Sequence, residues 1–161
     1  MITFDYNVKD KHIFGNAQVS GNAGVAINAR VFGNAQVYGN AWVFGDARVF
    51  ANAQVFGDAQ VFGNAQVSGN AQVSGNALLS GDALIEKTSD YLVIGPAKSS
   101  GRFTTAHKDS KIGIRVNCGC FSGTVKEFSD VIETTHKDNE EHLEQYRLFC
   151  QLIAVNFGVT E

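Results

Sequence analysis

The sequence predicts a mainly β protein. A β-solenoid with a six-residue period occupies residues 13–86, a small α+β domain of order β-β-β-α-α follows over residues 87–161, and residues 1–12 read as a lead-in. Three observations carry this. An aliphatic residue stands at every sixth position from Ile13 to Ile85, with no insertion. Alanine follows four positions after each of the first twelve, from Ala17 to Ala83. After Ile85 the period stops, and alternating segments and amphipathic stretches replace it.

The repeat is V-x-G-[ND]-A-x. The residue before each alanine is Asn or Asp, and the one before that is Gly except at Ile27 and Ala51. Within Ala-x-Val-x, the strand alternation sends Ala and Val to one face and both x residues to the other. Gly-Asn then breaks the strand, because these two residues tolerate positive φ better than others. A helix is excluded, since its apolar stripe would recur at 3.6 residues and Gly would weaken every turn. Short strands joined by identical corners wind into a coil with aliphatic residues inside.

The pairs Val19 with Ala23, Val25 with Ala29, and those that follow resemble the hexapeptide-repeat family of left-handed parallel β-helices. In that family three hexapeptides make one triangular coil, so the resemblance implies about four coils here. The family often places Gly directly after the aliphatic residue, whereas here it comes one position later, as in Val19-Ser20-Gly21.

Three strands per coil stack residues eighteen apart. One outer face then carries His12/Phe14, Arg30/Phe32, Arg48/Phe50, Gln66/Ser68 and Leu84/Glu86. A second carries a ladder of Gln18, Gln36, Gln54 and Gln72, whose amides can bond along the stack, with Tyr38 and Phe56 beside it. The third carries Trp42, Phe44, Gln60 and Phe62. The aromatic excess marks Trp42, Phe44, Phe62, Tyr38, Phe56, Phe32 and Phe50 as interface candidates, because monomers rarely expose large apolar patches. Face three, around Trp42, Phe44 and Phe62, is the one expected to be covered. Arg30 and Arg48 lie one coil apart beside Phe32 and Phe50. They read as guanidinium groups stacked on rings, or as anion-binding residues, as does Arg115 in the C-terminal segment.

Beyond the repeat, residues 91–96, 102–107 and 112–117 read as strands, the last two joined by residues 108–111. Thr124 with Glu127 makes a capping box that starts a helix to about Thr135, with Val125, Phe128, Val131 and Ile132 on its apolar face. A second helix starts near Asn139 and buries Leu143, Tyr146, Phe149, Cys150, Ile153 and Phe157. Thr105 and Arg115 are candidates to line a small polar pocket, against the plainer reading of a cross-strand pair. Cys118-Gly119-Cys120 lacks the spacing of a zinc site and has no second cysteine pair, so neither a metal nor a cofactor is expected.

Residues 91–96, Thr104-Thr105 and the stretch from Ile114 to Thr124 are similar to the C-terminal domain of uncharacterised phage and prophage hexapeptide-repeat proteins. The resemblance implies a phage accessory protein. Such proteins include inhibitors of host defence, anti-CRISPR proteins among them.

Composition narrows the function classes. Net charge is −3, distributed as 2 − 3 = −1 over residues 13–85 and 9 − 11 = −2 over residues 86–161. Neither part has the basic excess of a nucleic-acid binder or the acidity of a DNA mimic. The first residues show no basic and apolar signal pattern, no apolar run approaches the ~20 residues that span a bilayer, and three cysteines form no disulfide framework. A bacterial host's cytoplasm is the expected compartment. The expected function is non-catalytic binding or assembly through protein–protein contacts, as a dimer or trimer with a host protein partner. An acyltransferase is the enzymatic alternative, disfavoured because residues 14–85 hold no His to serve as a base and no extruded loop. Sequestration of a nucleotide signal is a third reading. An ice-binding surface is set aside for want of a threonine ladder.

Overall fold

The computed structural model describes residues 12–98 and 100–159; the expected lead-in lies outside these residues except for His12. The chain divides into two compact units, the first ending at Asp90 and the second beginning at Tyr91.

The first unit is a parallel β-solenoid of four turns. Its twelve two-residue strands, numbered along the chain, fall into three parallel sheets. β1 (Gln18–Val19), β4 (Gln36–Val37), β7 (Gln54–Val55) and β10 (Gln72–Val73) form one. β2 (Gly24–Val25), β5 (Trp42–Val43), β8 (Gln60–Val61) and β11 (Leu78–Leu79) form the second. β3 (Arg30–Val31), β6 (Arg48–Val49), β9 (Gln66–Val67) and β12 (Leu84–Ile85) form the third. Each strand pairs with the one eighteen residues on, as in Gln36 with Gln54 and Val37 with Val55. Each side of the prism is therefore one hexapeptide. Backbone bonds join successive turns even beyond the strands, for example Asn40 N to Gly57 O at 2.9 Å, so the buried backbone is satisfied without long strands.

The interior is built from two residue types. From Ala29 to Ile85 every repeat Ala and aliphatic residue is at most 1% exposed. Valine, branched at Cβ, fills the side of the triangle, and alanine fits beside the corner. At the first turn Ile13, Ala17, Val19, Ala23 and Val25 are only half-buried.

The corners are held twice over. The third residue of the repeat adopts positive φ throughout, including Ile27 at 64° and Ala51 at 58°. At Gly57 a Cβ would come within 2.9 Å of Gly75 N, so a side chain is blocked by backbone as well as by conformation. The next residue builds an amide ladder. Asn16, Asn34, Asn52 and Asn70 are linked by Nδ2-to-Oδ1 bonds of 3.2 Å. The amide ladder expected of the glutamines is thus seen at the corners, while Gln54 Oε1 accepts from the Tyr38 hydroxyl at 3.4 Å.

The second unit is an antiparallel sheet of β13 (Tyr91–Ile94), β14 (Thr104–Asp109), β15 (Gly113–Cys118) and β16 (Phe121–Thr124), followed by helices α1 (Val125–Thr135) and α2 (Glu140–Phe157). The sheet has four strands where the sequence predicted three. β16 has no alternating apolar pattern of its own; the two-residue turn Gly119-Cys120 pairs Cys118 with Phe121 and brings the strand in. The helix ends are as expected. Thr124 and Glu127 form the reciprocal capping box, and Asn139 caps α2. Val125, Phe128 and Ile132 of α1 and Tyr146, Cys150 and Ile153 of α2 form a core with Ala106, Val116 and Cys118 of the sheet. Val131, expected on that face, is 43% exposed, because the stripe continues from Phe128 to Ile132 at i+4 and leaves i+3 outside.

Ile27 is β-branched in a left-handed conformation and 66% exposed, so it carries strain with little packing in return. Ile27→Gly is expected to raise urea-denaturation stability by about 1 kcal/mol, whereas Gly57→Val should lower it by about 2 kcal/mol or more.

Candidate functional site

The eighteen-residue register places the outward residues in columns. On the face of β3 and β6, Arg30 is the direct partner of Arg48. Both are exposed, and neither guanidinium makes an ion pair, hydrogen bond or ring contact among the described residues. The expected stacking of guanidinium on aromatic is absent there. The rings instead take each other: Phe32 and Phe50 have centroids 5.0 Å apart and planes 2° from parallel.

The arginines line an open groove of about 360 Å³ with His12, Asn28 and Asp46. Asn28 Nδ2 donates to Asp46 Oδ1 at 3.1 Å, the corner rung beside the arginine column. His12 Nδ1 lies 2.9 Å from the Ala29 carbonyl, an acceptor, so that nitrogen donates. Sequence reasoning singled out the arginines and missed the corner residues. The signal was present: Asn28 and Asp46 each stand two residues before an arginine.

The other two faces carry the same kind of ring pair. Tyr38 stacks on Phe56 at 4.9 Å, and Phe44 on Phe62 at 5.0 Å. All six paired rings are half-buried. Trp42 remains 37% exposed and lies over Gly24, where an added Cβ would sit 2.7 Å from its ring carbons. Glycine in that strand position makes room for the indole. Trp42, Phe44 and Phe62 therefore come together on one face, as their spacing implied.

Arg115, grouped with the arginines as an anion ligand, is committed elsewhere. Its Nε donates to Asp109 Oδ2 at 2.7 Å and its Nη1 to Ser122 Oγ at 3.1 Å. The Asp109 side chain is buried, and its other oxygen accepts from the backbone N–H of Lys111 and Ile112. The pair thus pins the turn between β14 and β15. Thr105 and Arg115 do share a sheet face, along with His107 and Asn117. His107 is fully buried. Its Nδ1 donates to the Lys108 carbonyl at 3.0 Å, and its Nε2 accepts from Asn117 Nδ2 at 3.2 Å. Both ring nitrogens are used in the neutral form. Desolvation by burial lowers its pKa from 6.5 to about 4, against the raising effects of the Lys108 carbonyl and Asp109.

The cysteines do not act as a pair. Cys118 is buried beside the Tyr146 hydroxyl at 4.0 Å, and Cys120 is exposed in the turn. Among the described residues no group of His, Cys, Asp or Glu could hold a metal ion, and no helix is long and apolar enough to cross a membrane.

Residues 35–49, 53–69 and 65–81 match the model of the YdcK beta solenoid repeat, so the turns of this chain are similar to the repeats of that family. No curated protein and no solved structure matches the chain.

A buried neutral histidine makes stability depend on pH. The unfolded chain takes up the proton near 6.5 and the folded chain near 4, so stability is unaffected above pH 6.5 and falls as pH drops through this window. The full loss is roughly 3 kcal/mol, reached near pH 4. His107→Gln is expected to flatten the profile between pH 6.5 and 5, measured by urea denaturation at each pH.

Proposed function

We propose that this protein is a non-catalytic binding and assembly protein whose solenoid is a rigid support for outward-facing aromatic columns. The observation that carries this reading is the contrast between inside and outside. The interior repeats Val and Ala with almost no variation, while the outer positions vary and hold stacked rings on all three sheets. Trp42, beside the Phe44–Phe62 pair, is the exposed centre of the face chosen as the contact surface. Stacked rings held on a rigid sheet lose little conformational entropy when covered, which favours them as interface anchors.

The specific form of the proposal is a phage or prophage accessory protein that inhibits a host defence system by contact with a host protein. It is supported by the resemblance of the C-terminal segment. The acyltransferase alternative receives no catalytic constellation from the described residues: the solenoid's sole described histidine is His12, at its first turn.

Light scattering tests the assembly. The protein is expected to run as a dimer or trimer, and the double variant Trp42→Ala/Phe62→Ala as a smaller species with an unchanged far-ultraviolet spectrum. A monomeric wild-type protein would remove the support for self-association through this face. An oligomer indifferent to the double substitution would move the interface elsewhere.

A further inference from the structure

Each outer column stacks side chains on successive turns, and the corner and ring columns settle that arrangement internally. The corner asparagines donate to and accept from one another, and the aromatic rings stack. Arg30 over Arg48 can do neither. A guanidinium has five N–H donors and no acceptor, and like charges on directly paired strand positions repel. The paired strands hold the two backbones only ~4.8 Å apart. Neither guanidinium has an ion-pair, hydrogen-bond or ring partner among the described residues. Two adjacent forks of donors with nothing to receive them are complementary to the oxygens of one tetrahedral oxyanion.

The rest of the groove narrows the ligand further. Asp46 and Asn28 line it with His12, and Asp46 has one oxygen engaged by Asn28. A bare anion would face that carboxylate unfavourably. A ligand bearing hydroxyl groups beside its anion would donate to it instead. The groove, at about 360 Å³, is also larger than a lone phosphate needs and falls at the small end of ligand sites. We infer that this groove binds a phosphorylated polyol, with the phosphate held between Arg30 and Arg48 and the hydroxyls against Asp46 and Asn28. The site lies on a different face from Trp42 and does not depend on the assembly proposed above.

Isothermal titration of the full chain at low salt, with ribose 5-phosphate, inorganic phosphate and ribose as probes, tests this. Ribose 5-phosphate is expected to bind about tenfold more tightly than inorganic phosphate, and ribose not at all. Arg30→Gln and Arg48→Gln should each weaken ribose 5-phosphate by about tenfold or more. Arg48→Lys keeps the charge without the fork and should also lose affinity. Asp46→Asn should bring the two phosphates closer to equal affinity. Thermal melts of the variants establish that they remain folded. No binding of ribose 5-phosphate to the wild-type protein would overturn the inference, as would an Arg30→Gln/Arg48→Gln double variant that binds it undiminished. Equal affinity of the wild-type protein for the two phosphates would overturn the polyol assignment.

Discussion

The strict eighteen-residue turn is the constraint from which the rest of this solenoid follows. With no insertion between Ile13 and Ile85, every residue has a fixed neighbour one turn above and below. The side chain at each position must therefore suit whatever stands in the same column. Inside, this is met by aliphatic residues that pack to full burial. At the corners it is met by amides, which are donor and acceptor at once. Outside, it is met by rings that lie parallel on one another. The same constraint explains Gly24: a column with an indole at position 42 leaves no room for a side chain one turn earlier.

Most of this was legible in the sequence, because a short period repeated without slippage fixes both the inward face and the column of each residue. The ring columns and the arginine pair fell out of arithmetic on the numbering. Helix starts were legible too, since Thr124, Glu127 and Asn139 act through bonds within one turn of chain. What could not be read were choices between partners. The arginines lie two residues before phenylalanines in sequence, yet each ring prefers the ring one turn away. Arg115 looked available until the fold placed buried Asp109 against it. β16 depends on a hairpin whose turn, Gly119-Cys120, carries a weak signal. In each case the deciding contact was tertiary, and nothing local favoured it.

The two units also differ in how they use polar groups. The solenoid keeps most of its hydrogen-bonding side chains outside, in ladders that contribute regularity more than energy, with Ser68, Ser80 and Asp90 as buried exceptions. The C-terminal sheet buries Thr104, Thr105, His107, Asp109 and Asn117 among its strands. Buried polar groups are costly unless partnered, and the His107–Asn117 and Asp109–Arg115 bonds supply partners that fix tautomer and turn geometry. One unit is specified by repetition, the other by a small network of partnered side chains, His107 with Asn117 and Asp109 with Arg115.

The corner amide ladders have a direction, and this gives meaning to a choice that looks arbitrary in the sequence. Each Asn of these ladders with a turn after it donates to the residue eighteen positions later, so an Asp can receive a bond but cannot pass one on. Asp46, Asp58 and Asp82 all stand at receiving ends, below Asn28, Asn40 and Asn64. The edge of Asn16, Asn34, Asn52 and Asn70 consequently bears no formal charge. The edge of Asn28, Asp46, Asn64 and Asp82 bears two carboxylates, and the face that follows it bears both arginines. The prism is thus nearly threefold in shape and not in its electric field. An approaching charged molecule meets a neutral ridge at one orientation and a strip of mixed charge at another, so rotation about the long axis distinguishes sides that the backbone makes alike.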